Sequence, residues 1–360
     1  VSDTALKTAA PSPILLRALE RLPGLALLLV LGLAGKWTEA TLLAWGRANH
    51  VAVPDIEYVL WAILYGLIIA NSVGVPRIFR AGVATYEFWL KAGIVLLGVR
   101  FLLGDVLKLG GVSLVLVAIE LTVSIVIMTW LGRRFGLAPK LTSLLAIGSS
   151  ICGVSAIIAA KGAIRARDEE ASLAIAAILA LGAVSLFTFP LIGHAVGFTD
   201  HAYGLWAGLA VDNTAEATAA GSLFSDEAGR YAVLAKTCRN ATIGFVVLGY
   251  AIYWASRGEA ETIGNRGAFL WAKFPKFVLG FLLISLLATL GFFTREQSAS
   301  IAALSRWAFL LTFAGVGLST DIRRLSAQGW RPLVVGTAGE IGIAVITFGL
   351  VVGADRLGMF

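Results

Sequence analysis

Two polar, glycine-containing stretches interrupt otherwise apolar sequence: Gly148-Ser-Ser-Ile-Cys-Gly153 and Val211-Asp-Asn-Thr-Ala-Glu216. Backbone that leaves a helix at membrane depth finds no water, so it persists only where protein buries it or a wet cavity faces it. The first stretch offers the Ser149 and Ser150 hydroxyls, the Cys152 thiol, free backbone N–H groups and a glycine on either side, Gly148 and Gly153. A helix restarting after such a break presents unpaired N–H groups and the positive end of its dipole, a natural anion site. The competing reading is a packing kink whose serines bond back to the preceding turn. In the second stretch Asn213 and Thr214 are neutral donors, while Asp212 and Glu216 stand four apart and can share a helix face. Intramembrane carboxylates carry protons or sodium ions in many membrane proteins, or they neutralise nearby cations. Both uses stay open for these two.

Four basic residues fall within apolar segments beyond the first: Lys91, Arg100, Lys236 and Arg239. Each costs at least about 2.5–3.5 kcal/mol at mid-membrane and so requires a partner or a role. Lys236 and Arg239 are three apart and share one face, which makes that face electropositive. Arg239 could bind an oxyanion through its planar fork. Lys236 could do so as a point charge, or snorkel. Glu120 is a third isolated acid, a proton carrier or a partner for Arg100. Lys36 and Glu39 are placed to neutralise each other, and Asn71 to bond across helices. Cys152 and Cys238 form no metal or disulfide pattern. Neither a metal nor a cofactor is expected, and no catalytic residue.

The elements that must carry these residues are membrane helices. Of 360 residues, 58% are hydrophobic and 14% charged, with mean hydropathy +0.85. A soluble domain has roughly 25% charged residues. The expected class is all-α, a polytopic membrane protein with 9–11 transmembrane segments forming one transmembrane domain over 1–360. Residues 1–23 are expected to be a cytoplasmic N-terminal segment without a cleavable signal. The net charge of +7 is read as topology and not as a nucleic-acid surface, because most Lys and Arg occupy short loops. The expected location is a bacterial inner membrane, with the lipid bilayer itself as one partner.

Eleven apolar segments run from 24–46 to 333–354, and the two interrupted ones occupy 142–160 and 203–222. If all eleven cross, loop Lys and Arg divide 15 inside to 9 outside. If the two interrupted segments instead enter and leave on one side, the division becomes 18 to 6. Orientation follows this bias, which favours re-entrant hairpins over fully crossing broken helices. Gly98 to Gly110 and Gly317 to Gly329 share one spacing in segments of opposite direction, a faint sign of an inverted repeat.

Gly148-Ser-Ser-Ile-Cys-Gly-Val-Ser-Ala-Ile157 resembles the GSSICGxSA signature of the YeiH-type (UPF0324) putative sulfate exporter family. Ala70-Asn71 before Pro76, Gly93-Ile-Val-Leu-Leu-Gly-Val-Arg100, Lys236-Thr-Cys-Arg239 and Gly315-Val-Gly-Leu-Ser-Thr320 follow in family order. The resemblance covers roughly 57–335. It departs at Val211–Glu216, where relatives carry a His-containing run followed by Gln. It implies an inverted-repeat carrier related to bile-acid symporters and sodium–proton antiporters, with a scaffold and a moving core, and dimerisation by analogy.

The function expected is secondary transport of a small anion, a sulfate-like oxyanion or an organosulfonate, coupled to a proton or cation. The substrate would meet Ser149, Ser150, Cys152, Gly153, Asn213, Thr214, Lys236 and Arg239, and the coupling ion would use Asp212, Glu216 or Glu120. No nucleotide-binding loop is present, which argues against a pump. A sodium–proton-type antiporter using the acids is the alternative. An intramembrane enzyme would need a base near Ser149 or Cys152, and His50, His194 and His201 lie in or beside loops.

Overall fold

The computed structural model describes residues 13–49, 58–101, 103–261, 263–320 and 330–358. Residues 1–12, His50 and Gly329, and with Gly329 the second half of the short glycine repeat, lie outside them. The described residues form helices and no strand. In order these are α1 (Pro13–Ala48), α2 (Tyr58–Ser72), α3 (Arg77–Val83), α4 (Tyr86–Leu97), α5 (Leu103–Arg134), α6 (Pro139–Ser150), α7 (Val154–Ala163) and α8 (Asp168–Val196). There follow α9 (Asp200–Ala210), α10 (Thr214–Phe224), α11 (Asp226–Ala241), α12 (Ile243–Ser256), α13 (Arg266–Lys273), α14 (Lys276–Thr289), α15 (Arg295–Ser319) and α16 (Trp330–Arg356). Six helical stretches are long and apolar enough to cross a membrane, within Leu19–Ala48, Arg77–Arg100, Ser113–Arg134, Asp168–Val196, Arg295–Ser319 and Trp330–Arg356. The pair α13–α14 would make a seventh and bends by 68° at Phe274–Pro275.

The chain divides into two units, exchanging within α4 and within α15. Unit 1 holds residues up to Trp89 together with Leu310–Ser319. Its core gathers Leu28, Leu31, Val83, Ala314 and Leu318. Gly24 meets Gly82, and Gly66 meets Gly317, so closely that a Cβ at any of them would strike facing backbone. Small residues let helices approach in lipid, where no hydrophobic effect drives them together.

Unit 2 holds Leu90–Phe309 and Thr320–Phe360, and both interrupted segments belong to it. Each is a hairpin. Lys140 Nζ at the start of α6 donates to the Arg165 carbonyl just beyond α7, at 3.2 Å. A continuous helix would hold positions 25 residues apart about 37 Å from each other. In the second hairpin the Tyr203 ring of α9 stacks on Phe224 of α10 at 4.0 Å, and its hydroxyl donates to the Ala220 carbonyl at 3.1 Å. The Ser225 hydroxyl closes that mouth by donating to Asp200 Oδ1 at 2.6 Å. With 10 to 12 residues each, the four arms reach about 15–18 Å, half of a hydrocarbon core of about 30 Å.

The hairpins point at each other. α8 has 29 residues, about 43 Å, and carries the chain from the mouth of the first to the mouth of the second. α11 and α12 return it, and Glu259 beyond α12 pairs with Lys140 at the first mouth at 3.6 Å. Arg165 pairs with Glu261 there as well. The tips meet: a Cβ built on Gly153 would sit 3.5 Å from Asn213 Cα. A hairpin followed by a return to the other mouth thus occurs twice, through the single helix α8 and through the pair α11 and α12, with the breaks 151–153 and 211–213 sixty residues apart and the second copy inverted. This is the inverted repeat the structure displays, and the earlier glycine spacing plays no part in it.

Local chemistry explains each turn. α6 ends where Gly153 takes φ 68°, a left-handed value that glycine adopts without strain, and its N–H returns to the Gly148 carbonyl at 3.0 Å. Asn213 starts α10 by accepting from the Ala215 N–H, while Thr199 and Ser225 cap α9 and α11 in the same way. Hairpin 2 packs tightly because Gly204 and Gly208 face Ala228 and Ala232 of α11.

The two-sided geometry has a direct readout. In a protein with Cys152 and Cys238 replaced by alanine, single cysteines at 140 and 165 should react with an impermeant thiol reagent from one face of the membrane. Cysteines at 200 and 226 should react from the other face. Crossing helices would place 140 and 165 on opposite faces.

Candidate functional site

Each hairpin tip ends one helix and begins another. The last carbonyls of α6 and α9 have no intrahelical N–H to accept from, and they point toward α11. There Lys236 and Arg239, on one face as their spacing requires, are fully buried. Arg239 Nε donates to the Ser150 carbonyl at 2.8 Å and Nη2 to the Ser149 carbonyl. Nη1 donates to the Leu209 carbonyl at 2.6 Å and to the Val211 carbonyl at 3.4 Å. Lys236 Nζ donates to the same Val211 oxygen at 2.5 Å. A single guanidinium therefore closes both helix ends.

The acids divide into two sets. Glu120 reaches in from α5 with Oε1 3.2 Å from Arg239 Nη2, and Asp212 Oδ1 lies 3.8 Å from the same nitrogen. Glu120 is thus a partner of Arg239 and not of Arg100, which lies exposed at the end of a short 3-10 turn. Two cations and two carboxylates, all buried, bring the centre close to neutrality. Glu216 stands apart. Its carboxylate packs where a Cβ on Gly182 of α8 would go, and its Oε2 has no hydrogen-bond partner among the described residues. Within electrostatic reach of it is Glu340 of α16, whose Oε1 accepts from the Ser185 hydroxyl. Glu216 and Glu340 are 2% and 6% exposed, a pair of acids held in an apolar setting.

The remaining predicted residues gather at the tips. The Ser150 hydroxyl bonds back to Ile147 at 3.3 Å, as a kink serine does. The Ser149 hydroxyl is buried and faces the Asp212 carboxylate across the meeting of the tips. Cys152 and Asn213 are half-buried. Gly153 precedes α7 and has no side chain to cap it, while the Cys152 thiol takes the Ala156 N–H. This leaves the Val154 and Ser155 N–H groups without a side-chain cap from the N-cap residue. Thr214 accepts from Asn240 Nδ2 at 3.1 Å. Of the histidines, His194 stacks on Phe224 and His201 packs at a tilt against Tyr231 at the second mouth, an arm's length from the tips. Asn71 bonds to the Leu67 carbonyl of its own helix, in unit 1.

Sequence reasoning missed Glu340, Gly182 and Ser185. Glu340 was visible as an acid inside the segment 333–354, in the same sense as Glu120. The partners of Arg239 could not be read from residue types, since four of them are carbonyl oxygens.

Residues 23–336 match the family model described as Conserved hypothetical protein 698. The chain belongs to this family. A UPF0324 membrane protein of Nitratidesulfovibrio vulgaris is 37% identical over 94% of both chains. One from Streptococcus agalactiae is 30% identical over 91% of this chain and 96% of its own. One from Rhodopirellula baltica is 34% identical over 86% of this chain, which spans only 60% of that longer relative. No solved structure matches the chain. The family places the protein among multi-pass membrane proteins, and the signature residues Gly148–Ser155 form the tip and first turns of hairpin 1.

Removing one partner of a buried ion pair leaves the others uncompensated and costs about 3–5 kcal/mol. Arg239→Met should lower the thermal midpoint in detergent accordingly, and Arg239→Lys should recover only part of it, because an ammonium cannot span both helix ends. A Lys variant as stable as the parent would show that the tips do not hang on the guanidinium.

Proposed function

We propose that the chain is a secondary carrier of a small anion, a sulfate-like oxyanion or organosulfonate, bound where the hairpin tips meet. One observation carries this reading: two inverted hairpins touch at mid-membrane beside the start of α7, whose N-cap position is a glycine with no side chain to close it. Paired breaks of this kind, in opposed repeats, suit a site reached alternately from the two faces. The anion would accept from the first N–H groups of α7, the Ser149 hydroxyl and the Asn213 amide, with Cys152 and Thr214 shaping the wall. Arg239 would act as the brace of this cradle and Lys236 as its local positive field, since every guanidinium nitrogen already serves the protein.

An anion brought into a nearly neutral centre adds a charge that a co-transported proton offsets. Glu216 and Glu340 are the natural carriers, because Glu120 and Asp212 are engaged with Arg239. Glu216 also sits in the first turn of α10, so its protonation is mechanically tied to tip 2. The engagement of Glu120 and Asp212 removes those two acids from the cation-antiporter reading, which would then rest on Glu216 and Glu340. An enzymatic role is weakened by the distance of His194 and His201 from Ser149 and Cys152. With the first mouth on the Lys- and Arg-rich side, the N-terminal part faces the cytoplasm of a bacterial inner membrane.

Flux in proteoliposomes tests this. Labelled sulfate and taurine are followed with and without a pH gradient, and with and without sodium, in the parent, Glu216→Gln and Glu340→Gln. The reading requires that a pH gradient drive uptake of at least one anion, and that both variants lose this drive while anion exchange continues. Sodium–proton exchange without anion flux would establish the antiporter. Anion flux indifferent to both gradients would remove the coupling role of the two acids.

A further inference from the structure

A cavity of about 690 Å³ lies between α5, α6 and α12, away from the hairpin tips, and its composition changes along its length. At one end stand Arg133, in the last turn of α5, and Arg257, just beyond α12. Neither forms an ion pair with a described residue. The neighbouring acids Glu259 and Glu261 are taken by Lys140 and Arg165. Arg257 rests on the Tyr253 ring at 4.6 Å, which holds its guanidinium in the cavity mouth. The other end is apolar and lined by Ile125 and Val246. Ile125 is eight residues from Arg133 and Val246 eleven from Arg257, so the cavity runs about 12–16 Å down the helices. Between the two ends stand the hydroxyls of Thr129 and Tyr250, bonded to each other. Nearer the basic end Thr142, packed on Gly132 and 4% exposed, has a hydroxyl with no hydrogen-bond partner among the described residues.

We infer that this cavity binds an anionic glycerophospholipid of the surrounding membrane. Its phosphate would lie between Arg133 and Arg257, its ester region along the hydroxyls of Thr142, Thr129 and Tyr250, and one acyl chain along Ile125 and Val246. The order basic, hydroxyl, apolar along the membrane normal matches the order of parts in such a lipid. The basic end also lies at the mouth of hairpin 1, the end richest in Lys and Arg, where anionic headgroups are attracted. A free oxyanion matches less well, because the volume is many times that of a tetrahedral anion and the deep end at Ile125 and Val246 offers it no donor. α6 forms one wall, so the lipid would press against an arm of hairpin 1. Trp254 Nε1, donating to Ser143 Oγ at 3.2 Å, fixes that wall to α12. This site is independent of the proposed transport activity.

Binding to the folded state raises apparent stability. Delipidated protein in neutral detergent is titrated with phosphatidylglycerol, phosphatidylcholine or inorganic phosphate, with the thermal midpoint as readout and native mass spectrometry to count bound lipid. Phosphatidylglycerol should raise the midpoint and leave one retained lipid, with phosphatidylcholine and inorganic phosphate having little effect. Arg133→Gln with Arg257→Gln should remove the preference for the anionic lipid. Gly249→Leu fills the cavity from a position where a Cβ meets nothing within 4 Å. It should therefore reduce lipid retention without lowering the midpoint of the lipid-free protein. Equal effects of the two lipids, or a response to inorganic phosphate equal to that of phosphatidylglycerol, would overturn the assignment. So would full lipid retention in both the double Gln variant and Gly249→Leu.

Discussion

Everything at the centre of unit 2 depends on one constraint: helix ends placed inside a membrane must have their carbonyls satisfied by protein. Two hairpins that turn back halfway create two such ends facing each other, and lipid offers neither of them a donor. Arg239 answers both at once, with Nε and Nη2 on the α6 end and Nη1 on the α9 end. A guanidinium suits the task because its donors diverge in one plane from a rigid fork. Its charge also sits at the negative ends of two helix dipoles. Glu120 and Asp212 then keep the buried charge balanced.

This arrangement separates tasks that the residue types alone leave mixed. The carbonyl ends of the hairpins are closed by cations, so the opposite ends, the starts of α7 and α10, are what remains to meet a solute. The start of α10 is capped by Asn213, while the N-cap residue of α7, Gly153, has no side chain to do the same. Under the proposed carrier reading, this asymmetry within an otherwise inverted repeat would give the centre a preferred side for an anion. The acids divide likewise. Two belong to the brace, and Glu216 with Glu340 forms a second, more apolar pair against Gly182 and Ser185 of α8. Glu216, in the first turn of α10, ties this pair directly to tip 2, which is how the proposed coupling of proton and solute would act.

Much of this was legible in the residues. Composition carried the helical membrane class. Glycines and hydroxyls inside apolar runs marked both breaks, and the distribution of loop Lys and Arg favoured hairpins over crossings. The spacing of Lys236 and Arg239 placed them on one face. What stayed hidden has physical causes. Backbone carbonyls have no letter, so an arginine satisfied by them looks like one awaiting an anion. Glu120 and Arg239, or Glu216 and Glu340, are brought together by tertiary packing across more than a hundred residues, and nothing local signals it. The sixty-residue repeat is masked because inversion preserves the place where backbone turns and not the side chains there. Gly148 and Gly208 coincide, but Cys152 stands opposite Asp212 and Gly153 opposite Asn213.

The contact between the two tips is the claim on which the rest stands, and a cross-link measures it directly. A Cβ at position 153 would lie 3.6 Å from that of Asn213, within the span a disulfide bridges. With Cys152 and Cys238 replaced by alanine, Gly153→Cys combined with Asn213→Cys should oxidise to an intramolecular bond in intact membranes. Cleavage of an engineered protease site in the loop between α7 and α8 would then leave the two fragments joined until reductant is added. Fragments that separate without reductant, in protein that remains folded and inserted, would contradict the meeting of the hairpins.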